Sequence, residues 1–221
     1  MFSLLTPLTR IASLLFLLAL ARPPSVTGQG LPQTVAESSQ YTKTSRHTEV
    51  QAFLNQVATQ SSKLHRLRIG SSVEKRPLSA MILAEPPVQT VADLANDPRL
   101  VVLLLGNIHA GECAGKEAIL ALLRDLSSSD PDGLLKDFVI LAVPNFNVDA
   151  NEQQGRQHRP GQIGPREGMG LRNNSQGLDL NRDFVKLESP EVRSLTQFIQ
   201  QWNPHLFIDT HTTNGSRHRY H

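Results

Sequence analysis

The sequence has 221 residues, 39% of them apolar and 19% charged, with a formal net charge of +2. That length supports one domain with its own apolar core, and Lys and Arg scattered without a basic block exclude a nucleic-acid binder, which needs a concentrated basic footprint. The lone cysteine, Cys113, excludes an intrachain disulfide and reads as a small buried residue rather than a nucleophile or ligand.

Residues 1–10 end in a positive charge at Arg10, and residues 11–21 form an apolar run that closes on Ala19-Leu20-Ala21. An uncleaved anchor would need roughly 20 apolar residues, and a core helix would need polar residues at helical spacing. A small-x-small ending after a short apolar run has the form of a signal peptide. Residues 1–21 are therefore expected to direct the protein to the periplasm or the exterior. Residues 22–45, rich in Pro, Ser, Thr and Gln without periodicity, read as a linker or weakly ordered arm. Residues 46–221 remain for the domain.

Within the domain, Val50, Phe53, Leu54 and Val57 stand at helical spacing in residues 48–60. Residues 64–69 and 78–84, with Gly70-Ser71-Ser72 between them, suggest a hairpin. A short amphipathic piece at residues 91–94 ends at Asn96-Asp97-Pro98. Residues 100–105 and 138–143 are continuous apolar runs, as strands buried on both faces require. Between them, Ala118, Ile119, Leu122 and Leu123 form one stripe of a helix over residues 115–126. Ser189-Pro190-Glu191 starts another helix, with Ser as cap and Pro at the first helical position. It runs to about Trp202 and stops at Asn203-Pro204. Residues 205–209 form a last strand. The alternation predicts an α/β domain with a mainly parallel mixed sheet and helices on both faces. Residues 149–177, dense in Gly, Asn, Gln and Arg, form a loop too long to be a plain connection.

Three clusters carry chemistry. The first strand ends in Gly106-Asn107-Ile108-His109-Ala110-Gly111-Glu112, at the carboxyl end where ligands gather in parallel α/β sheets. A His and a Glu three apart can converge on one ion, although a helix-start Glu beside an incidental His is the plainer reading of that pair alone. His211 at the end of the last strand would complete a His, Glu, His set with one position open. In residues 171–184, Asp179 and Asn181 alternate on a strand-like segment and so face one side. Arg172 and Arg182 bring planar donor forks suited to carboxylates and oxyanions, though either alone could be a surface arginine paired to Asp183 or Glu188.

In this order, His-x-Gly-Glu, Gly-x-Asp-x-Asn-Arg and Asp-Thr-His resemble the zinc carboxypeptidase family (the peptidase M14 or funnelin group), from about Leu100 to His211. The resemblance implies one Zn2+ per chain held by His109, Glu112 and His211, and a peptide or protein C-terminus as substrate. It implies that Arg172 polarises the scissile carbonyl, that Asn181 and Arg182 grip the terminal carboxylate, and that Asp179 holds the second nitrogen of His109. Hydrolysis would then use a zinc-activated water.

The family's general base, a Glu on a late strand, and a Tyr that closes over the substrate both lie well after the third ligand. Here no Glu follows Glu191, and Tyr220 stands too near His211 to match that Tyr. The sequence therefore reads as the N-terminal part of a longer enzyme, with weak zinc binding and little activity of its own, and with an apolar sheet edge left open. His218 and His221, three apart, read as a loop end rather than a second metal site. Two other functions share these features: a zinc amidohydrolase acting on N-acyl amino acids or cell-wall peptides, and a non-catalytic peptide-binding module. Preference for N-acetyl amino acids would mark the first, and peptide binding that survives a chelator would mark the second.

Overall fold

Three apolar runs set the centre of the molecule. In the computed structural model, which describes residues 31–212, they lie side by side as β3 (Leu100–Leu105), β4 (Phe138–Val143) and β5 (Leu206–Asp209). The other elements, in chain order, are α1 (Val35–Ser38), α2 (His47–Gln60), β1 (Leu64–Ser71), β2 (Pro77–Leu83), α3 (Ala114–Ser128), α4 (Val148–Glu152) and α5 (Pro190–Trp202). Single 3-10 turns lie at Val91–Leu94, Leu134–Lys136 and Leu180–Arg182. The proposed signal peptide, His218, Tyr220 and His221 fall outside the described residues.

The sheet runs in the order β1-β2-β4-β3-β5. The strands β4, β3 and β5 are parallel, and the β1–β2 hairpin extends the sheet antiparallel beside β4. Leu105 pairs with Val143 on one side and with Asp209 on the other. Three strand ends therefore stop abreast, and the chain leaving each of them rises at one edge of the sheet.

Alternation along each strand divides the core in two. Met81, Leu83, Val102, Leu104, Ile140 and Ala142 face α2 and α3, meeting Phe53, Leu54, Ile119 and Leu123. Ala80, Ile82, Leu103, Leu105, Val139 and Leu141 face α5, meeting Val192, Leu195, Phe198 and Trp202. Because both faces are covered, these strands carry no polar alternation. The edge strand β5 is less covered: Phe207 is 42% exposed, and Leu206 and Ile208 are half-buried.

Part of the segment read as a linker arm is docked on the domain. Thr34 caps α1 reciprocally with Glu37, and the Glu37 carboxylate accepts from Nη1 and Nη2 of Arg124. Glu117 accepts from Thr44 Oγ1, Ser45 N and Ser45 Oγ at 2.7–3.0 Å. These partners lie far apart in sequence and are polar, so hydrophobic periodicity carries no trace of them.

Candidate active site

The loop after β3 is shaped before any functional side chain leaves it. Gly106 passes so close to β4 that a Cβ there would meet Pro144 O at 2.6 Å, and Asn107 takes a left-handed φ of 65°, a conformation Asn tolerates better than most residues. The chain then presents His109 and, just before α3, Glu112, both almost fully buried.

The two meet: His109 Nδ1 lies 3.0 Å from Glu112 Oε1. His109 Nε2 lies 3.0 Å from Asp179 Oδ1, the partner that the family resemblance assigned to it. His211 arrives from the end of β5, with its ring 4.7 Å from that of His109 and nearly perpendicular to it. Asp209 Oδ2 sits 2.7 Å from His211 Nδ1, and Asn181 Nδ2 sits 3.3 Å from His211 Nε2. Ligand atoms of His109, Glu112 and His211 all lie within 4.8 Å of one another. Two imidazoles and a carboxylate, converging from buried loops on a more open third member, are a donor set that zinc accepts.

Charge around the cluster is strongly organised. Burial opposes ionisation of the Glu112 carboxyl, but His109, the Arg159 guanidinium and the Thr212 N–H outweigh it and hold its pKa at about 2. Burial likewise opposes ionisation of Asp179, and His109 and Arg172 bring it below the usual carboxylate range. The hydrogen bond and charge of Asp209 push the His211 imidazole up. Glu112 and Asp179 are therefore anions at neutral pH, ready to face a cation or an N–H donor.

The substrate side divides in two. Arg172 donates from Nε to Asp179 Oδ2 at 3.0 Å and sets Nη2 2.8 Å from the same oxygen as an ion pair, so Asp179 ties His109 to Arg172. Arg172 also lines a cleft of about 310 Å3 with Arg159, Pro160, Gly161 and Gln162. Arg182 is exposed, and its Nη1 donates to Asn181 O at 2.9 Å; the structure brings Asn181 to the cluster but does not bring the Arg182 guanidinium there. The segment expected to be strand-like is a 3-10 turn, with Asp179 Oδ1 accepting from Asn181 N at 3.0 Å. That turn, rather than β alternation, aims Asp179 and Asn181 at the same cluster. Asp183 pairs with neither arginine of this loop; it accepts from Glu188 N, Ser189 N and Ser189 Oγ.

Arg159 was not singled out in the sequence. Its Nη2 donates to Glu112 Oε1 at 2.6 Å, and its aliphatic stem crosses Gly111, where a Cβ would stand 2.9 Å from Arg159 Cγ and Cδ. The only trace in the sequence is that side-chain-free position beside Glu112, which is uninformative until the loop is folded over it.

The family model described as zinc carboxypeptidase matches residues 50–216. Carboxypeptidase D of Mus musculus is 34% identical over 158 residues, covering 60% of this chain and 11% of that protein. A probable carboxypeptidase 2 of Arthroderma benhamiae is 31% identical over 121 residues, covering 54% of this chain and 20% of that protein. The chain thus spans a fifth or less of the length of these relatives. Among solved structures, a metallo-carboxypeptidase from Burkholderia cenocepacia matches with a TM-score of 0.60 and 24% identity, over 80% of this chain and 43% of that one. Bovine thrombin-activatable fibrinolysis inhibitor matches with a TM-score of 0.61 and 18% identity, over 79% of this chain and 62% of that one. These two likenesses show the shared fold.

Proposed function

The chain belongs to the zinc carboxypeptidase family, and from that premise we propose that it holds one zinc ion on His109, Glu112 and His211 and takes the C-terminus of a peptide or protein as substrate. The observation that carries this is the convergence of those three ligand atoms within 4.8 Å at the carboxyl edge of the parallel strands. When bound, zinc supplies Lewis acidity, lowering the pKa of a water and polarising a carbonyl.

The chain's own residues do the rest. Asp179 fixes the orientation of His109 through Nε2 and leaves Nδ1 on the Glu112 side. Arg172, held by the same carboxylate, presents its guanidinium along the cleft, where it would donate to the oxyanion that develops on the scissile carbonyl. Asn181, already at the cluster, and Arg182, exposed beside it, would take the terminal carboxylate. Arg182 must swing from Asn181 O to do so. Glu191, the last Glu of the sequence, is buried against Val73 N and Asn174 and does not reach the cluster. These residues therefore carry ligands and substrate grips, while the base that takes the proton of the attacking water in the family is expected beyond the third ligand. A leader at residues 1–21 would place the protein in the periplasm or the exterior.

Zinc uptake by the purified chain tests the reading. One zinc per chain is expected. His211→Ala should weaken binding by more than the about 10–100-fold that loss of an outer partner costs, and Asp179→Asn should fall within that range. Uptake unaffected by His211→Ala would overturn the ligand set. Brisk release of C-terminal residues by the chain itself would overturn the assignment of the base, and faster cleavage of N-acetyl amino acids than of peptides would replace the substrate class.

A further inference from the structure

Lys116 lies in the first turn of α3, in the same stretch of chain as Glu112, and its side chain is completely buried. An ammonium inside a protein is strongly disfavoured unless it is hydrogen-bonded and its charge is met. Lys116 has what it needs: Nζ donates to Ser45 O and, at 2.7 Å, to Asn151 Oδ1, with Glu117 Oε1 3.6 Å away. A Met or Leu would fill the same space without that burden, so the charge calls for an account beyond packing.

The account lies in what Lys116 holds. Asn151 Oδ1 also accepts from Asn107 Nδ2 at 3.1 Å, and Asn151 Nδ2 donates to Ser45 O at 3.0 Å. Asn107 Nδ2 donates in addition to Asn145 Oδ1 at 2.7 Å. The next link is backbone: Asn147 N donates to Asn107 O at 3.0 Å. The side chain of Asn147 then reaches Ile108 O at 3.1 Å and Arg172 O at 3.2 Å. This buried chain of asparagines spans the loops after β3 and β4 and the segment bearing Arg172. Its members bond to the two residues that immediately precede His109, one of them in the left-handed region. The ammonium fixes which way the Asn151 amide faces, and that amide braces Asn107.

We propose that Lys116 is a positioning residue for His109 and Glu112, acting through Asn151 and Asn107 on the turn that presents them; this rests on the zinc reading of the site. Neither Lys116 nor Asn151 touches the ligand cluster in this arrangement. Burial lowers the basicity of Lys116, and the nearby Glu117 opposes that shift. The geometry, a buried ammonium at the root of an amide network under the ligand loop, stands without it.

Three variants test this. Lys116→Met removes the charge. Asn107→Gly removes the amide bridge at a position whose positive φ suits Gly, so it should fold even if Lys116→Met does not. Leu123→Ala, in the apolar core on the same helix, serves as a destabilised control. Zinc affinity, measured by competition with a chromogenic chelator, should fall about 10–100-fold in Asn107→Gly and in folded Lys116→Met, while Leu123→Ala lowers Tm and keeps wild-type affinity. In the metal-free chain, the ring-nitrogen NMR signals of His109 should shift or broaden in the first two variants only. Wild-type zinc affinity and unchanged His109 signals in Asn107→Gly and in every folded Lys116 variant would overturn the proposal. So would equal effects in Leu123→Ala. If the wild-type chain takes up no zinc, the zinc reading fails, and the His109 signals alone decide the role of Lys116.

Discussion

Asp149 is buried and accepts from four donors: Ser72 Oγ, Glu74 N, Arg76 Nη1 and Ser175 Oγ. Burial opposes its ionisation, but those donors prevail and bring its pKa below the usual value. A carboxyl depressed on folding stabilises the protein above its unfolded pKa, and that contribution is lost as pH falls through the folded value. Asp149→Asn should thus cost about 1–3 kcal/mol at pH 7, a loss that shrinks as urea titrations move below about pH 4. Glu191 shifts the other way: burial pushes its carboxyl up despite the N–H of Val73 and the amide of Asn174. Its charge opposes folding as pH rises above the ordinary carboxylate range, so Glu191→Gln should preserve or raise Tm at pH 7 and change nothing at pH 3. A clear fall in Tm at pH 7 would contradict that sign. At this scale the sequence pointed to His109, Glu112, His211, Asp179 and Asn181, which the fold draws to one cluster; the His and Glu positions stand out as short patterns after apolar strands, and Asp179 and Asn181 through the family resemblance. It hid Lys116 and Arg159. A Lys in a helix and an Arg in a Gly- and Gln-rich loop look like surface charges until the chain folds around them.

Elements were legible wherever local rules decide them. Ser189 caps α5 through Val192 N at 3.2 Å, Pro190 opens the helix, and Asn203 ends it in the left-handed region. Ser189 is fully buried, and its hydroxyl also donates to Asp183 at 2.6 Å. Ser189→Ala should therefore cost about 1–2 kcal/mol in urea unfolding, and a change below a few tenths would show that the cap is dispensable. β3, β4 and α3 were equally readable, since a two-sided apolar run and a helical stripe each have one plain structural answer. The turn at residues 179–182 and the docking of residues 34–45 were not. One is set by an Asp capping its own turn, which strand alternation mimics, and the other by an ion pair and hydrogen bonds to helix α3 across more than seventy residues of sequence.

Across the whole molecule, the three proposed ligands do not share one degree of support. His109 and Glu112 are buried and lie on the segment between β3 and α3, while His211 follows β5, which among the described residues pairs with β3 alone. An ion bound to all three would bridge the inner sheet and its border. Ligand linkage then adds about 2.7 kcal/mol when zinc stands at a hundred times its Kd. Amide hydrogen exchange should slow most across Leu206–Asp209 and least in β4. Uniform slowing would mean that the ion steadies the fold without fastening its edge. If β5 alone responds, metal occupancy becomes readable from outside: a protease offered the chelated protein would nick it first near Thr212, and the zinc-loaded chain would survive the same digestion intact.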